Sequence, residues 1–195
     1  MLPKEYIFIE PHPDDMILSS GFLFFKHKPK KVITIFTSDK NHDTGTTQIC
    51  KKYGIKHFSF RFPDIDIKLK ARLFPTNKLV KALSKVIKPK DSIVSVLGFG
   101  HAAHEFLRDT LISNFENKMI FARDFPHSYK KYSNFNRAEI RFYKLFELEG
   151  DFQQKINIFI KYYKSQKGLL WFDKKFFEME PVEEYYKPKT KWFWI

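Results

Sequence analysis

Short apolar runs and stretches of helical periodicity alternate along this chain. Residues 6–9 (YIFI) and 31–36 (KVITIF) are rich in β-branched and aromatic side chains and predict the first two strands. Between them, residues 16–25 are mostly apolar and predict a helix. Residues 46–53, closed by Gly54, predict a shorter helix, and residues 57–60 a third strand. Leu79, Ala82, Leu83, Val86 and Ile87 recur at helical spacing, and that helix stops at Pro89. Residues 92–97 (SIVSVL) make an almost wholly apolar strand. From His101 onward, Leu107, Leu111 and Phe115 at four-residue intervals predict another helix, and residues 119–122 a fifth strand. Asp151 is placed to cap a late helix with the stripe Phe152, Ile156, Phe159, Ile160 and Tyr163. Residues 125–135 and those from Leu169 onward read as loop.

Strands alternating with helices imply βαβ units, and apolar strands imply a parallel sheet covered on both faces. The expected fold is therefore α/β: one three-layer, Rossmann-like domain over residues 1–195, with a mostly parallel sheet. In such sheets ligands bind beyond the carboxyl ends of the strands. Two polar groups fall there. His12, Asp14 and Asp15 follow the first strand, while His101 and His104 follow the strand ending at Leu97, after Gly98-Phe99-Gly100.

Composition narrows the classes. With 43% hydrophobic and 18% aromatic residues, the chain is not of the disordered type. Its net charge of +13 comes from lysines spread over the whole length. Such lysines form a solvating coat or a field that attracts anions, and the excess favours a phosphorylated or nucleotide-linked substrate over a neutral one. Cys50 is the only cysteine, which excludes an intrachain disulfide and a thiolate metal cluster. Pro3, Lys4, Glu5 and Glu10 interrupt any signal-peptide core, and no apolar run has transmembrane length. The expectation is a cytoplasmic protein without a transmembrane segment. The final residues KWFWI are of a type that touches membrane interfaces, but they are expected rather to pack on the domain or on a second subunit, which leaves an oligomer open.

The residues after the first strand carry the chemistry. Asp14 and Asp15 could simply cap a helix, which acidic residues favour at its positive end, and His104 could sit on a helix surface. Capping does not require His12. His12 and Asp15, three apart in a turn, can converge on one cation, and His104 would add a third ligand from another loop. Two imidazoles and a carboxylate with an open position describe a catalytic zinc site, where the ion lowers the pKa of water and polarises a carbonyl. Such a set also suits Fe(II). Asp14 would then be the general base.

Pro11-His12-Pro13-Asp14-Asp15 resembles the signature of the PIG-L / LmbE-like deacetylases, zinc enzymes that remove acetyl from N-acetylglucosamine-type sugars. Thr37-Ser38-Asp39, Phe62-Pro63-Asp64, His101-Ala102-Ala103-His104 and Tyr163-Lys164-Ser165-Gln166 resemble further family segments in the same order, over residues 1–166. The resemblance implies His12, Asp15 and His104 as zinc ligands, Asp14 as general base and His101 as the group that steadies the oxyanion. It departs between the histidines, where the family has Pro-Asp and this chain has Ala102-Ala103; His101 then lacks its usual carboxylate, with Glu105 and Asp109 the nearest in sequence. Asp39, Asp64 and Arg108 are candidate substrate contacts, although each also reads as a turn or ion-pair residue. His42, Ser165 and Gln166 lie near the same rim, and His127 receives no role.

The expected activity is removal of acetyl from an N-acetylated amino sugar by metal-activated water. Three alternatives stand beside it: hydrolysis of another N-acyl substrate, a basic polyanion-binding protein with a vestigial metal site, and a metal-binding but catalytically idle relative marked by Ala102-Ala103. Nucleic acid is not the expected partner.

Overall fold

The computed structural model describes residues 4–37, 44–64, 74–125, 141–163 and 182–189. Their order is β1 (Ile7–Glu10), α1 (Asp15–Lys26), β2 (Lys31–Phe36), α2 (Thr44–Lys52), β3 (Lys56–Phe62), α3 (Thr76–Val86), β4 (Ser92–Val96), α4 (Ala102–Asn114), β5 (Lys118–Ala122), β6 (Phe142–Glu149), α5 (Phe152–Tyr162) and β7 (Val182–Pro188). Seven strands form one sheet in the order β3-β2-β1-β4-β5-β7-β6. The first five are parallel, while β7 runs antiparallel to β5 and to β6.

Period-two alternation decides which side chains meet which layer. Ile7, Ile9, Ile33, Ile93 and Phe121 face one side, where they pack against Leu79 and Leu83 of α3 and Leu107 and Leu111 of α4. Phe8, Val32, Val94 and Ile120 face the other side, against Met16 and Leu23 of α1, Ile49 of α2 and Phe159 of α5. Each fully buried Ile or Phe contributes about 1.5–3 kcal/mol, so the sheet has a packed core on both faces. This is the expected three-layer α/β fold. Among the described residues, no helix is long and apolar enough to cross a membrane.

Two expectations are corrected. The stretch from Leu169 onward, read as loop, contains β7, and β6 lies in a segment for which the apolar pattern gave no element. The α5 stripe also differs: Ile160 is exposed, and Lys155 takes the buried position beside Phe159. A lysine is buried there because Glu183 of β7 meets its Nζ at 2.8 Å. The same Glu183 acts on α1, whose backbone breaks helical geometry at Ser20 (φ −140°, ψ 29°). Its carboxylate accepts from the amides of Phe22 and Leu23 just beyond the break, capping the restarted helix.

The order 3-2-1-4-5 places a topological switch point between β1 and β4. From β1 the chain turns into α1 on one face, and from β4 into α4 on the other. The crevice left above their carboxyl ends is the fold's natural ligand site.

Candidate active site

The turn after β1 is held from several sides. The amide of Phe36 donates to the carbonyl of Pro11, and the Thr46 hydroxyl of α2 donates to that of Pro13. The Tyr163 hydroxyl joins Thr46 at 2.9 Å. Fully buried Glu10 accepts from the Thr34 hydroxyl at 2.7 Å and from the Met16 amide at 3.2 Å. Burial drives the Glu10 carboxyl well above its ordinary range, against the opposing hydrogen bond from Thr34.

Glu10 thus serves the Met16 amide in the first turn of α1, which answers the capping expectation for the aspartates. Asp14 occupies the N-cap position of α1 and makes no side-chain capping hydrogen bond. Asp15 turns its Oδ2 back to the His12 amide at 2.8 Å. Neither carboxylate is there to close the helix.

Across the crevice, Gly98 has φ +66°, and a Cβ on it would lie 2.5 Å from the carbonyl carbon of His104. Glycine is required for α4 to begin this close to the end of β4. Arg108 fixes the same loop: its Nη1 donates to the carbonyls of Leu97 and Gly98, each at 2.9 Å, and its guanidinium lies over the Phe99 ring. Its Nε meets Asp109 at 2.8 Å. The loop so held presents His101 and His104 to the turn after β1.

His12 Nδ1, His104 Nε2 and Asp15 Oδ2 form a triangle with sides of 3.1, 3.4 and 3.6 Å. Three donors on one tetrahedral zinc, at about 2.0–2.1 Å each, stand about 3.3 Å apart, so these residues fit such an ion. His101 lies beside them, with its ring centroid 4.4 Å from that of His104 and 5.1 Å from that of His12. One nitrogen from each of His12, His101 and His104 falls within 4.8 Å of the others, so the three histidines could also hold a metal ion.

The outer nitrogens of both triangle histidines meet carboxylates. His12 Nε2 lies 2.9 Å from Asp64 Oδ1, and His104 Nδ1 lies 3.2 Å from Asp124 Oδ2. Asp64 follows β3 and Asp124 follows β5, so four parallel strands send residues to one rim. Electrostatics separates the two adjacent aspartates. Burial raises the Asp14 carboxyl to about 7, assisted by the charge of Asp15. Burial would raise Asp15 too, but His104 and His12 hold it well below the usual range. Burial lowers His12, yet its hydrogen bonds to Asp15 and Asp64 overcome this and raise it to about 10.

Of the residues singled out in sequence, the structure gathers His12, Asp14, Asp15, Asp64, His101 and His104. Arg108 sits under the loop rather than on the triangle. Glu105 accepts from the Gly100 amide, and Asp109 pairs with Arg108 and Arg141. Asp39, His42, His127, Ser165 and Gln166 lie outside the described residues. Sequence reasoning missed Glu10, Thr46 and Asp124. Asp124 was within reach, since it stands just past the fifth strand on the rim already singled out.

No family model matches the chain, and no curated protein matches its sequence. A solved structure does resemble it, a triple mutant of a deacetylase (Orf2*T) described as involved in the teicoplanin biosynthetic pathway. The TM-score is 0.65 at 15% identity, covering 94% of this chain and 97% of that one. At this identity the likeness shows the fold.

Proposed function

We propose that this chain is a zinc-dependent N-deacetylase acting on an N-acetylated amino sugar of the N-acetylglucosamine type. The observation that carries the reading is the triangle of His12, Asp15 and His104, with sides matching the edges of a tetrahedral zinc site. Its place at the switch point supports it, as do the motif resemblance and the fold likeness to a deacetylase. Iron(II) is the other ion this donor set suits.

Bound there, zinc would supply Lewis acidity, lowering the pKa of water and polarising the acyl carbonyl. The chain's own residues do the rest. Asp14 takes the proton of the attacking water, a role suited to a carboxyl whose pKa burial has raised toward neutrality. His101 donates a hydrogen bond to the carbonyl oxygen as charge develops on it. Asp14 then returns the proton to the leaving nitrogen. A C–O bond forms, the C–N bond breaks, and acetate and a free amine result. The chain's excess of lysines favours a phosphorylated or nucleotide-linked sugar among such substrates.

Metal content and acetate release test this together. Wild type should bind about one zinc per chain and release acetate from at least one member of a panel of N-acetyl sugars. His12→Ala and His104→Ala should lose both. Unchanged metal content in both variants would remove the metal centre and the function built on it.

A further inference from the structure

We infer that Asp64 and Asp124 are positioning residues that lock the two ligand histidines in opposite tautomers. His12 then offers Nδ1 to the metal, and His104 offers Nε2. The inference rests on reading this site as a metal centre. It assigns Asp64 to the histidine rather than to substrate, and it gives a role to Asp124, which no motif marks.

Proton bookkeeping at the two outer contacts carries it. A neutral imidazole has one N–H and one lone pair. If His12 placed its proton on Nδ1, its Nε2 lone pair would face the Asp64 carboxylate at 2.9 Å, acceptor against acceptor. With the proton on Nε2 the same contact becomes a charge-assisted hydrogen bond. The same choice applies to His104, whose Nδ1 stands 3.2 Å from Asp124 Oδ2. Asp124 is 0% exposed, so an acceptor-to-acceptor contact there would be both repulsive and buried.

With metal bound, both outer nitrogens therefore carry hydrogen and both inner nitrogens present lone pairs. Those lone pairs face each other at 3.1 Å, with Asp15 Oδ2 at 3.6 and 3.4 Å from them. Three ligand atoms aimed at one point suit a metal ion; in the metal-free chain a proton on His12 Nδ1, shared with Asp15, takes that place. The carboxylates thus set the inner triangle from outside, each through the far side of a ring. They also raise the basicity of the ligands they hold. The two are not equivalent: the Asp64 side chain is 24% exposed, whereas that of Asp124 is fully enclosed with His104.

The test uses the full chain, nitrogen-15 labelled, stripped with a chelator and reloaded with zinc chloride. Long-range proton–nitrogen spectra of the imidazoles should show hydrogen on His12 Nε2 and His104 Nδ1, and a metal-shifted signal on the other nitrogen of each ring. Asp64→Asn and Asp124→Asn should each weaken zinc binding about 10–100-fold in a chelator competition. Thermal melts report whether each variant folds. Should Asp124→Asn fail to fold, the wild-type spectra and Asp64→Asn decide. Asp64→Glu, which restores the carboxylate, should recover part of the affinity. Zinc bound with the same ring nitrogen in both histidines, or unaltered affinity in the folded variants, overturns the inference and leaves the metal centre standing. A wild type that binds no zinc overturns the metal centre and the inference with it.

Discussion

Helix α1 touches two buried charged clusters, one in its first turn and one at its break, and they are built on opposite plans. At the break, Glu183 receives Lys155 Nζ, the Tyr185 hydroxyl and the Phe22 amide, at 2.8 to 3.1 Å. The Lys155 ammonium lies 4.9 Å above the Phe22 ring and 5.8 and 5.9 Å from the rings of Phe125 and Phe152. One positive charge meets one negative charge, and donors meet acceptors. In the first turn, Asp15 and two histidines bring three possible ligand atoms to one point, with a second carboxylate, Asp14, alongside. Fully paired buried charge holds a fold together, whereas buried ligand-type side chains converging on one point mark a candidate site.

The sharpest break of this contrast is Asp14→Asn. Losing a general base should lower turnover by about 10²–10⁴-fold, while bound zinc stays at the wild-type level because Asp14 belongs to no side of the triangle. Acetate-release rates beside metal content check this. Retained turnover would mean that Asp14 handles no protons.

Next in size is Glu183→Gln, which leaves Lys155 buried and uncompensated. Breaking such a pair costs about 3–5 kcal/mol, read as a lowered midpoint of urea unfolding, with zinc affinity in the folded protein unchanged. The double change Glu183→Gln with Lys155→Met should recover most of that loss, because it removes the stranded charge. If the single change instead abolished zinc binding at full stability, the two clusters would not be the independent devices described.

The same contrast explains what the sequence could reveal. The parallel half of the sheet was legible because doubly covered strands such as KVITIF and SIVSV are mostly apolar and β-branched, which few other environments tolerate. The antiparallel pair was not. β6 (FYKLFELE) and β7 (VEEYYKP) each mix three charged residues with aromatic and apolar ones, and Glu183 makes sense only beside Lys155 and the break in α1, far away in sequence. The candidate active site follows the same rule. His12, Asp14 and Asp15 sit in one short turn, and His101 and His104 in another, so local spacing exposed both halves. Asp124 stands alone after β5, and only the sheet order brings it to His104. Asp64 was noticed, yet its partner His12 is 52 residues away, and a substrate contact was the nearer guess.

The mildest effect separates the clusters by pH. Without metal, His12 titrates near 10 in the folded chain against 6.5 in the unfolded one, held up by Asp15 and Asp64. A group raised on folding gives stability that is complete below about 6.5 and is lost as pH climbs through 10. The metal-free protein should therefore lose on the order of 2 kcal/mol over that window, after allowance for coupling to Asp14. Zinc removes the dependence, because a ligand nitrogen that holds metal no longer exchanges that proton. Urea midpoints from pH 6 to 10, with chelator and with zinc, give the comparison. A slope that persists in the zinc-loaded protein, or survives His12→Ala without metal, would trace the stability to some other group.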